Sequence, residues 1–296
     1  MRTPNAHFLM CRPEHFAVSY AINPWMDPAR WAREERALAA RSRREWAGLY
    51  GALIDSGARI DLIPSVPGLP DLVFTANAAV VLDGKALLAR FRHPQRRAEE
   101  PHFEAAFRML QGRGVIDAVR KLPEGLALEG AGDCVFDETR DLFWMGYGPR
   151  SDAAARHHVA AEFAAEVVAL ELADARFYHM DTALCPLTGG EVIYYPGAFT
   201  AKGRAVIADR VAPDQRIAIA FDDARRLAAN AVCVGTGLIL SGCSERLRAV
   251  LEERGYRVTA TPLDAFLRSG GSAFCLTLRL DRRSAAKRCA IIDTAA

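Results

Sequence analysis

Short apolar runs punctuated by Gly, Pro and Asp alternate along this chain with longer amphipathic stretches. That pattern predicts strands exchanging with helices. Phe8-Leu9-Met10-Cys11 reads as a first strand. Asp27-Pro28 supplies an N-cap with proline in the first turn, and its helix is predicted to run to about Asp55. Its stripe is Trp31, Leu38, Trp46, Leu49 and Leu53, and Gly57 is its stop. A strand follows at 58–63, then a proline-rich loop at 64–70. Asp83-Gly84 turns a strand at 79–82 into a partner at 85–90, and 94–111 is predicted helical. Strands at 134–136 and 142–146 precede a helix capped by Ser151 that runs to about Ala165. Next come strands at 167–172 and 192–195, and a helix at 201–208. A strand at 217–220, a helix at 222–229 and one apolar strand at 232–240 follow. A capped helix spans 244–253, a strand 256–261 and a short helix 262–267. Finally, Gly270-Gly271 delivers Cys275 into the mouth of a strand ending near Leu280.

Hairpins followed by helices recur about every 50–60 residues, without a defensible sequence repeat. The alternation predicts an α/β fold, and no linker divides residues 1–296, so a single domain is expected. The length of 296 residues allows a sizeable core, and 51% hydrophobic with 25% charged is the composition of a globular protein. A net charge of +2 from 38 basic and 36 acidic residues gives no footprint for nucleic acid or an anionic membrane. No run of about 18 apolar residues exists to cross a bilayer. The start, Met1-Arg2-Thr3-Pro4-Asn5, lacks the apolar region of a signal peptide. Seven widely spread cysteines without C-x-x-C spacing indicate neither a zinc site nor a disulfide framework. A cytoplasmic location is expected.

Polar residues collect where loops meet strands: Asp71 with Asn77, Arg90 with Arg96, Glu129 with Asp133, His179 with Asp181, and Cys275. Strand ends are where sites assemble in α/β folds. Each has an ordinary structural explanation. Asp71 and Asn77 suit turns, and a free cysteine near a strand is usually a small buried hydrophobe. Taken together they form a consistent chemical set. A cysteine and a histidine supply nucleophile and proton shuttle. Several carboxylates suit a cationic group, and an arginine pair, Arg96 with Arg150, suits a carboxylate. A substrate with both is arginine-like.

Four segments then carry a resemblance. They are Leu69-Pro70-Asp71-Leu72-Val73-Phe74-Thr75-Ala76-Asn77, Glu129-Gly130-Ala131-Gly132-Asp133, Tyr178-His179-Met180-Asp181-Thr182 and Gly270-Gly271-Ser272-Ala273-Phe274-Cys275. In order and character they resemble the guanidine-modifying enzymes: arginine deiminases, dimethylargininases, amidinotransferases and arginine dihydrolases. The likeness extends to Ile22-Asn23-Pro24-Trp25-Met26 and Tyr194-Tyr195-Pro196-Gly197-Ala198-Phe199. It implies a five-bladed α/β propeller (pentein) of ββαβ units around a central site. It implies Cys275 as nucleophile and His179 as general acid/base. Glu129 would grip the guanidinium beside the histidine, and Arg96 and Arg150 would clamp the substrate carboxylate. Asp71 would contact the substrate, with Asn23 a further candidate. Whether Glu129 or Asp133 lies nearer His179 stays open.

Two positions discriminate within that family. Asp181, two residues past the histidine, resembles the deiminase acid that holds an unmethylated guanidinium; a methylated nitrogen would leave that acid partly unpaired. Asn77 stands where deiminases carry an acid and resembles the dihydrolases, which take arginine through to ornithine. An amide can hold a neutral ureido group as donor and acceptor, whereas a carboxylate only accepts. The resemblance thus implies a cysteine hydrolase of the arginine guanidino group acting through a thiouronium adduct, with no metal or organic cofactor. The partner implied is a small molecule, arginine or a derivative, and a homo-oligomer is compatible with it. The rivals are a dimethylargininase, an amidinotransferase and a non-catalytic arginine-binding module.

Overall fold

The computed structural model describes residues 6–294; the stretch Met1-Arg2-Thr3-Pro4-Asn5 lies outside the described residues. Five three-stranded sheets stand around one axis. The chain opens with β1 (His7–Cys11) and, after a helix at Glu35–Asp55, β2 (Arg59–Ile63), which pairs parallel to β1. The next blade is β3 (Ala79–Leu82), β4 (Lys85–Leu88) and β5 (Ala118–Lys121). Then come β6 (Cys134–Asp137), β7 (Leu142–Tyr147) and β8 (Glu166–Glu171). A further blade holds β9 (Leu184–Pro186), β10 (Val192–Tyr194) and β11 (Arg216–Ala218). Another holds β12 (Val232–Val234), β13 (Gly237–Leu240) and β14 (Arg257–Ala260), before β15 (Leu278–Arg279).

In each blade the first strand runs antiparallel to the second, and a helix crosses to a third that is parallel to it. That is a ββαβ unit. The last unit closes the ring: β15 pairs antiparallel to β1, with Leu9 opposite Leu278. The family fold implied by the sequence, a five-bladed α/β propeller, is therefore the fold observed.

The first strands of the blades, β3, β6, β9, β12 and β15, line the axis. Every residue of β3 and β6 is buried, so these strands read as short apolar runs without alternation. Each large aliphatic side chain removed from water there contributes about 1.5–3 kcal/mol. A propeller axis built this way leaves few positions for polar groups. Apart from Asp137 at the far end of β6, where it accepts from Arg140 and the Trp144 ring nitrogen, they collect in the turns that enter the five inner strands.

Several local expectations were corrected. The long helix is two, Pro28–Arg33 and Glu35–Asp55, separated by Glu34, whose φ of −121° leaves the helical region. Ser151 caps no helix; the helix starts at Ala155, and Ser151 is drawn inward by Asp133. The run 232–240 is a hairpin, because Gly235 adopts a left-handed φ of 56° and reverses the chain. Two short strands, β5 and β9, were not anticipated. Cys275 lies in a turn, not a strand; β15 begins three residues later. The hairpin at Asp83-Gly84 was legible, with φ of 54° and 76° at its two central positions.

Candidate active site

Five turns enter the inner strands, and they bring the polar residues together. Asn77 sits two residues before β3, Glu129 and Asp133 around the turn before β6, and His179 and Asp181 before β9. Asn230 sits two residues before β12, and Cys275 before β15. All are buried: Glu129 and Asn230 are 0% exposed and Cys275 3%.

His179 Nε2 lies 2.7 Å from Glu129 Oε2, and that oxygen also accepts from Arg150 Nη1 at 2.9 Å. The open question about the nearer acid is resolved in favour of Glu129. Asp133 instead accepts from Ser151 Oγ at 2.5 Å and from the Met180 amide at 3.1 Å, so it buttresses the turn. Burial by itself would raise the Glu129 carboxyl. The Arg150 charge and the His179 hydrogen bond overturn that and hold it well below its ordinary range. Burial pushes the other way on His179 and lowers it to about 4, against the pull of Glu129. The imidazole is therefore neutral near pH 7, with Nε2–H donated to Glu129 and Nδ1 left as a base.

Cys275 faces a different environment. Its Sγ is 3.1 Å from Asp181 Oδ2 and 3.0 Å from Asn230 Nδ2. Burial first, and the Asp181 charge second, push the thiol well above its ordinary range. Burial raises Asp181 to about 7, and only hydrogen bonds, the first from the Cys275 thiol, oppose it. Its Oδ1 is buried without a hydrogen-bond partner. A buried, unpaired carboxylate oxygen beside a thiol is a seat for a cationic N–H group. Among the described residues no hydrogen bond joins His179 to Cys275.

The remaining candidates surround this pair of centres. Asn77 Oδ1 accepts from Arg96 Nη1 at 2.8 Å, and its Nδ2 donates to the Glu129 carbonyl at 3.1 Å. Arg96 also grips Glu99 through two nitrogens at 2.9 and 2.8 Å and donates to the Asp71 carbonyl at 3.1 Å. Burial opposes its charge, and Glu99 overcomes that, so it stays a cation. Asp71 accepts from Tyr20 Oη at 2.8 Å and from Ser269 Oγ at 3.3 Å. Arg150 reaches the Ile22 carbonyl at 3.2 Å and lies over the Tyr178 ring at 4.5 Å. Asn23 Nδ2 donates to the Ser269 carbonyl at 3.0 Å, which fastens the segment around residues 20–26 to the glycine loop.

Two glycines permit this crowding. At Gly270, with φ of 78°, a Cβ would meet Trp25 and the Tyr178 hydroxyl at 2.8 Å. At Gly132 a Cβ would stand 2.2 Å from Asn77 Nδ2. Residues not expected at the site from sequence are Asn230, Tyr20 and Glu99, together with Ser151, which the sequence suggested only as a helix cap. Asn230 had a signal: Ala76-Asn77-Ala78 and Ala229-Asn230-Ala231 enter two inner strands with the same residues. Below Asp181 a cavity of about 50 Å³ continues down the axis, lined by Ala131, Ala229, Cys134, Cys185 and Cys233. No group of three or more His, Cys, Asp or Glu placed to hold a metal ion occurs among the described residues.

Comparison with known proteins places these features in a family. Residues 12–282 match the family described as N,N dimethylarginine dimethylhydrolase, eukaryotic. The bifunctional arginine dihydrolase/ornithine cyclodeaminase AgrE of Nostoc sp. is 43% identical over 94% of this chain. That match spans only 38% of AgrE, so this chain corresponds to less than two fifths of that protein's length. The N(G),N(G)-dimethylarginine dimethylaminohydrolase of Mycobacterium tuberculosis is 35% identical over 94% of this chain and 87% of its own. Among solved structures, the substrate-bound N-terminal domain of ArgZ, a cyanobacterial arginine dihydrolase, superposes with a TM-score of 0.87. It is 40% identical, covering 94% of this chain and 99% of that one. With matches of this extent over a propeller whose axis holds these residues, the chain belongs to the dimethylarginine dimethylaminohydrolase family of guanidino-modifying enzymes.

Proposed function

We propose that this chain is an arginine dihydrolase, hydrolysing the guanidino group of L-arginine to ornithine through covalent adducts on Cys275. The observation that carries the reading is the pairing of Cys275 Sγ with Asp181, whose second oxygen is unpartnered. The guanidinium N–H groups take that oxygen, which sets the central carbon before the sulfur. Sulfur attacks and a C–S bond forms. The bond from that carbon to one terminal guanidinium nitrogen breaks, and the thiol proton, passed by His179, leaves with this nitrogen as ammonia. Water deprotonated by His179 then adds to the thiouronium carbon; the C–S bond breaks and citrulline remains. In a second round sulfur displaces the other terminal nitrogen as ammonia. Water releases the carbamate of ornithine, which loses carbon dioxide.

Asn77 supports the second round: its Nδ2 keeps one N–H beyond the bond to the Glu129 carbonyl, a donor for a neutral ureido oxygen. Glu129 fixes the histidine, with Arg150 holding Glu129 ionised. Asp71, Arg96 and Asn23 complete the substrate pocket, with Arg96 and Arg150 on the carboxylate side. Together the elements act as one catalytic domain. Among the described residues no helix is long and apolar enough to cross a membrane; the wide spread of the seven cysteines, without C-x-x-C spacing, supports a cytoplasmic setting.

The matching family description and the Mycobacterium relative favour a second reading, release of dimethylamine from dimethylarginine. Offering arginine and asymmetric dimethylarginine separately decides between them. Ammonia from arginine, at a kcat/KM about 100-fold or more above that for dimethylarginine, is expected, since methylation removes hydrogen bonds to a buried acid. Dimethylamine release as the faster reaction would refute the dihydrolase reading.

A further inference from the structure

Asn230 is fully buried and turns both ends of its carboxamide to Cys275. Its Oδ1 accepts from the Cys275 amide at 3.1 Å, while Nδ2 donates to Cys275 Sγ at 3.0 Å and to the Asp181 carbonyl at 3.1 Å. The main chain joins in, with the Phe274 amide donating to the Asn230 carbonyl at 3.2 Å. Only one amide orientation fits, because a backbone N–H can only donate; Nδ2 must therefore be the end that faces sulfur.

Sulfur thus has an acceptor on one side, Asp181 Oδ2, and a donor on the other, Asn230 Nδ2. The acceptor suits a thiol, and the donor suits a thiolate, since a hydrogen bond to an anion is the stronger one. Asn77 holds the matching post two residues before β3 and likewise bridges to the next turn, through the Glu129 carbonyl. The two amides are therefore placed by the same feature of the blade. Asn77 serves the histidine side and Asn230 the cysteine side.

We propose that Asn230 is a catalytic residue, the donor that holds Cys275 as a thiolate once the thiol proton has left, before attack and again at each release of sulfur. This rests on the covalent-hydrolase reading, but its test does not need turnover. The reading is the rate at which iodoacetamide alkylates the intact chain without substrate, followed at the Cys275 peptide by mass spectrometry across pH. Asn230→Asp keeps the shape and the acceptor for the Cys275 amide, and turns the donor into an acceptor. Its alkylation midpoint is expected to rise by about one pH unit or more, with an about tenfold slower rate at pH 8. Its kcat for arginine is expected to fall about tenfold, a larger change than in KM, because the donor acts on sulfur and only the backbone carbonyl of Asp181 loses a partner. An unshifted midpoint in folded Asn230→Asp overturns the proposal. If that variant does not fold, an unshifted midpoint in Asn230→Ala does so. A shifted midpoint in a chain that turns over no arginine supports the donor role and refutes the proposed function instead.

Discussion

Glu129 and Asp181 sit in neighbouring blade entrances, both buried, yet their carboxyl groups are shifted in opposite directions. Glu129 has Arg150 at 2.9 Å and remains a carboxylate. Asp181 has a thiol and an amide for neighbours, and burial lifts it to about 7. Depth from solvent is the same; Arg150 first and the His179 hydrogen bond second make the difference. The lesson is that the site is divided into a half already supplied with its cation and a half lacking one. The half without a cation is the one that faces the Cys275 thiol, and under the proposed function the substrate guanidinium would supply that cation.

The strongest way to break this contrast is Asp181→Asn, which removes the acid without changing shape. Arginine kcat/KM is expected to fall about 100-fold or more, the loss of a charge-assisted pair. Stability is expected to move the other way. An acid raised from 3.8 to about 7 binds its proton more tightly when folded, so its stabilising contribution is present below pH 4 and lost as pH rises towards 7. That loss is up to about 4 kcal/mol. Thermal melts of the variant and the parent should therefore diverge between pH 4 and pH 8, in favour of Asp181→Asn. A gap that does not grow with pH contradicts the assignment.

Of comparable size is Arg150→Met, which makes the Glu129 half resemble the Asp181 half. Stripping the cation from a buried ion pair costs about 3–5 kcal/mol, a fall of about 10 °C in Tm by calorimetry. His179 would lose its fixed partner, and the rate should drop as well. A Tm within 2 °C of the parent, taken as about 1 kcal/mol, would mean that Glu129 does not depend on Arg150.

The smallest effect is expected from Asn77→Asp. An oxygen would replace Nδ2 opposite the Glu129 carbonyl, now 3.1 Å away, at a cost of about 1–3 kcal/mol. The donor for a ureido oxygen would go with it, so citrulline should accumulate at the expense of ornithine in a timed product assay. An unchanged ornithine yield removes Asn77 from the second hydrolysis.

Much of this was legible in the chain, and the exceptions have physical causes. Asp83-Gly84 announces its hairpin because both central residues must be left-handed, which few pairs tolerate. The turns bearing Glu129, His179 and Cys275 stand out because charged or nucleophilic residues interrupt apolar runs beside glycines. Asn230 did not stand out, since alanines flank it and an amide carries no charge; only its echo of Ala76-Asn77-Ala78 marks it. The strand β9 is three residues ended by proline, too short for any period to register. Pairings such as Arg150 with Glu129 depend on how blades meet around the axis, and Ser151 was read as a cap because its partner Asp133 is distant in sequence.

The most direct test of the dihydrolase assignment is the stoichiometry of arginine consumption by the wild-type chain, with Cys275→Ala as control. Ornithine and two ammonia per arginine are predicted, with turnover in Cys275→Ala lower by about 10⁴-fold or more. Citrulline and one ammonia as the end point, or turnover that survives the loss of Cys275, would contradict it.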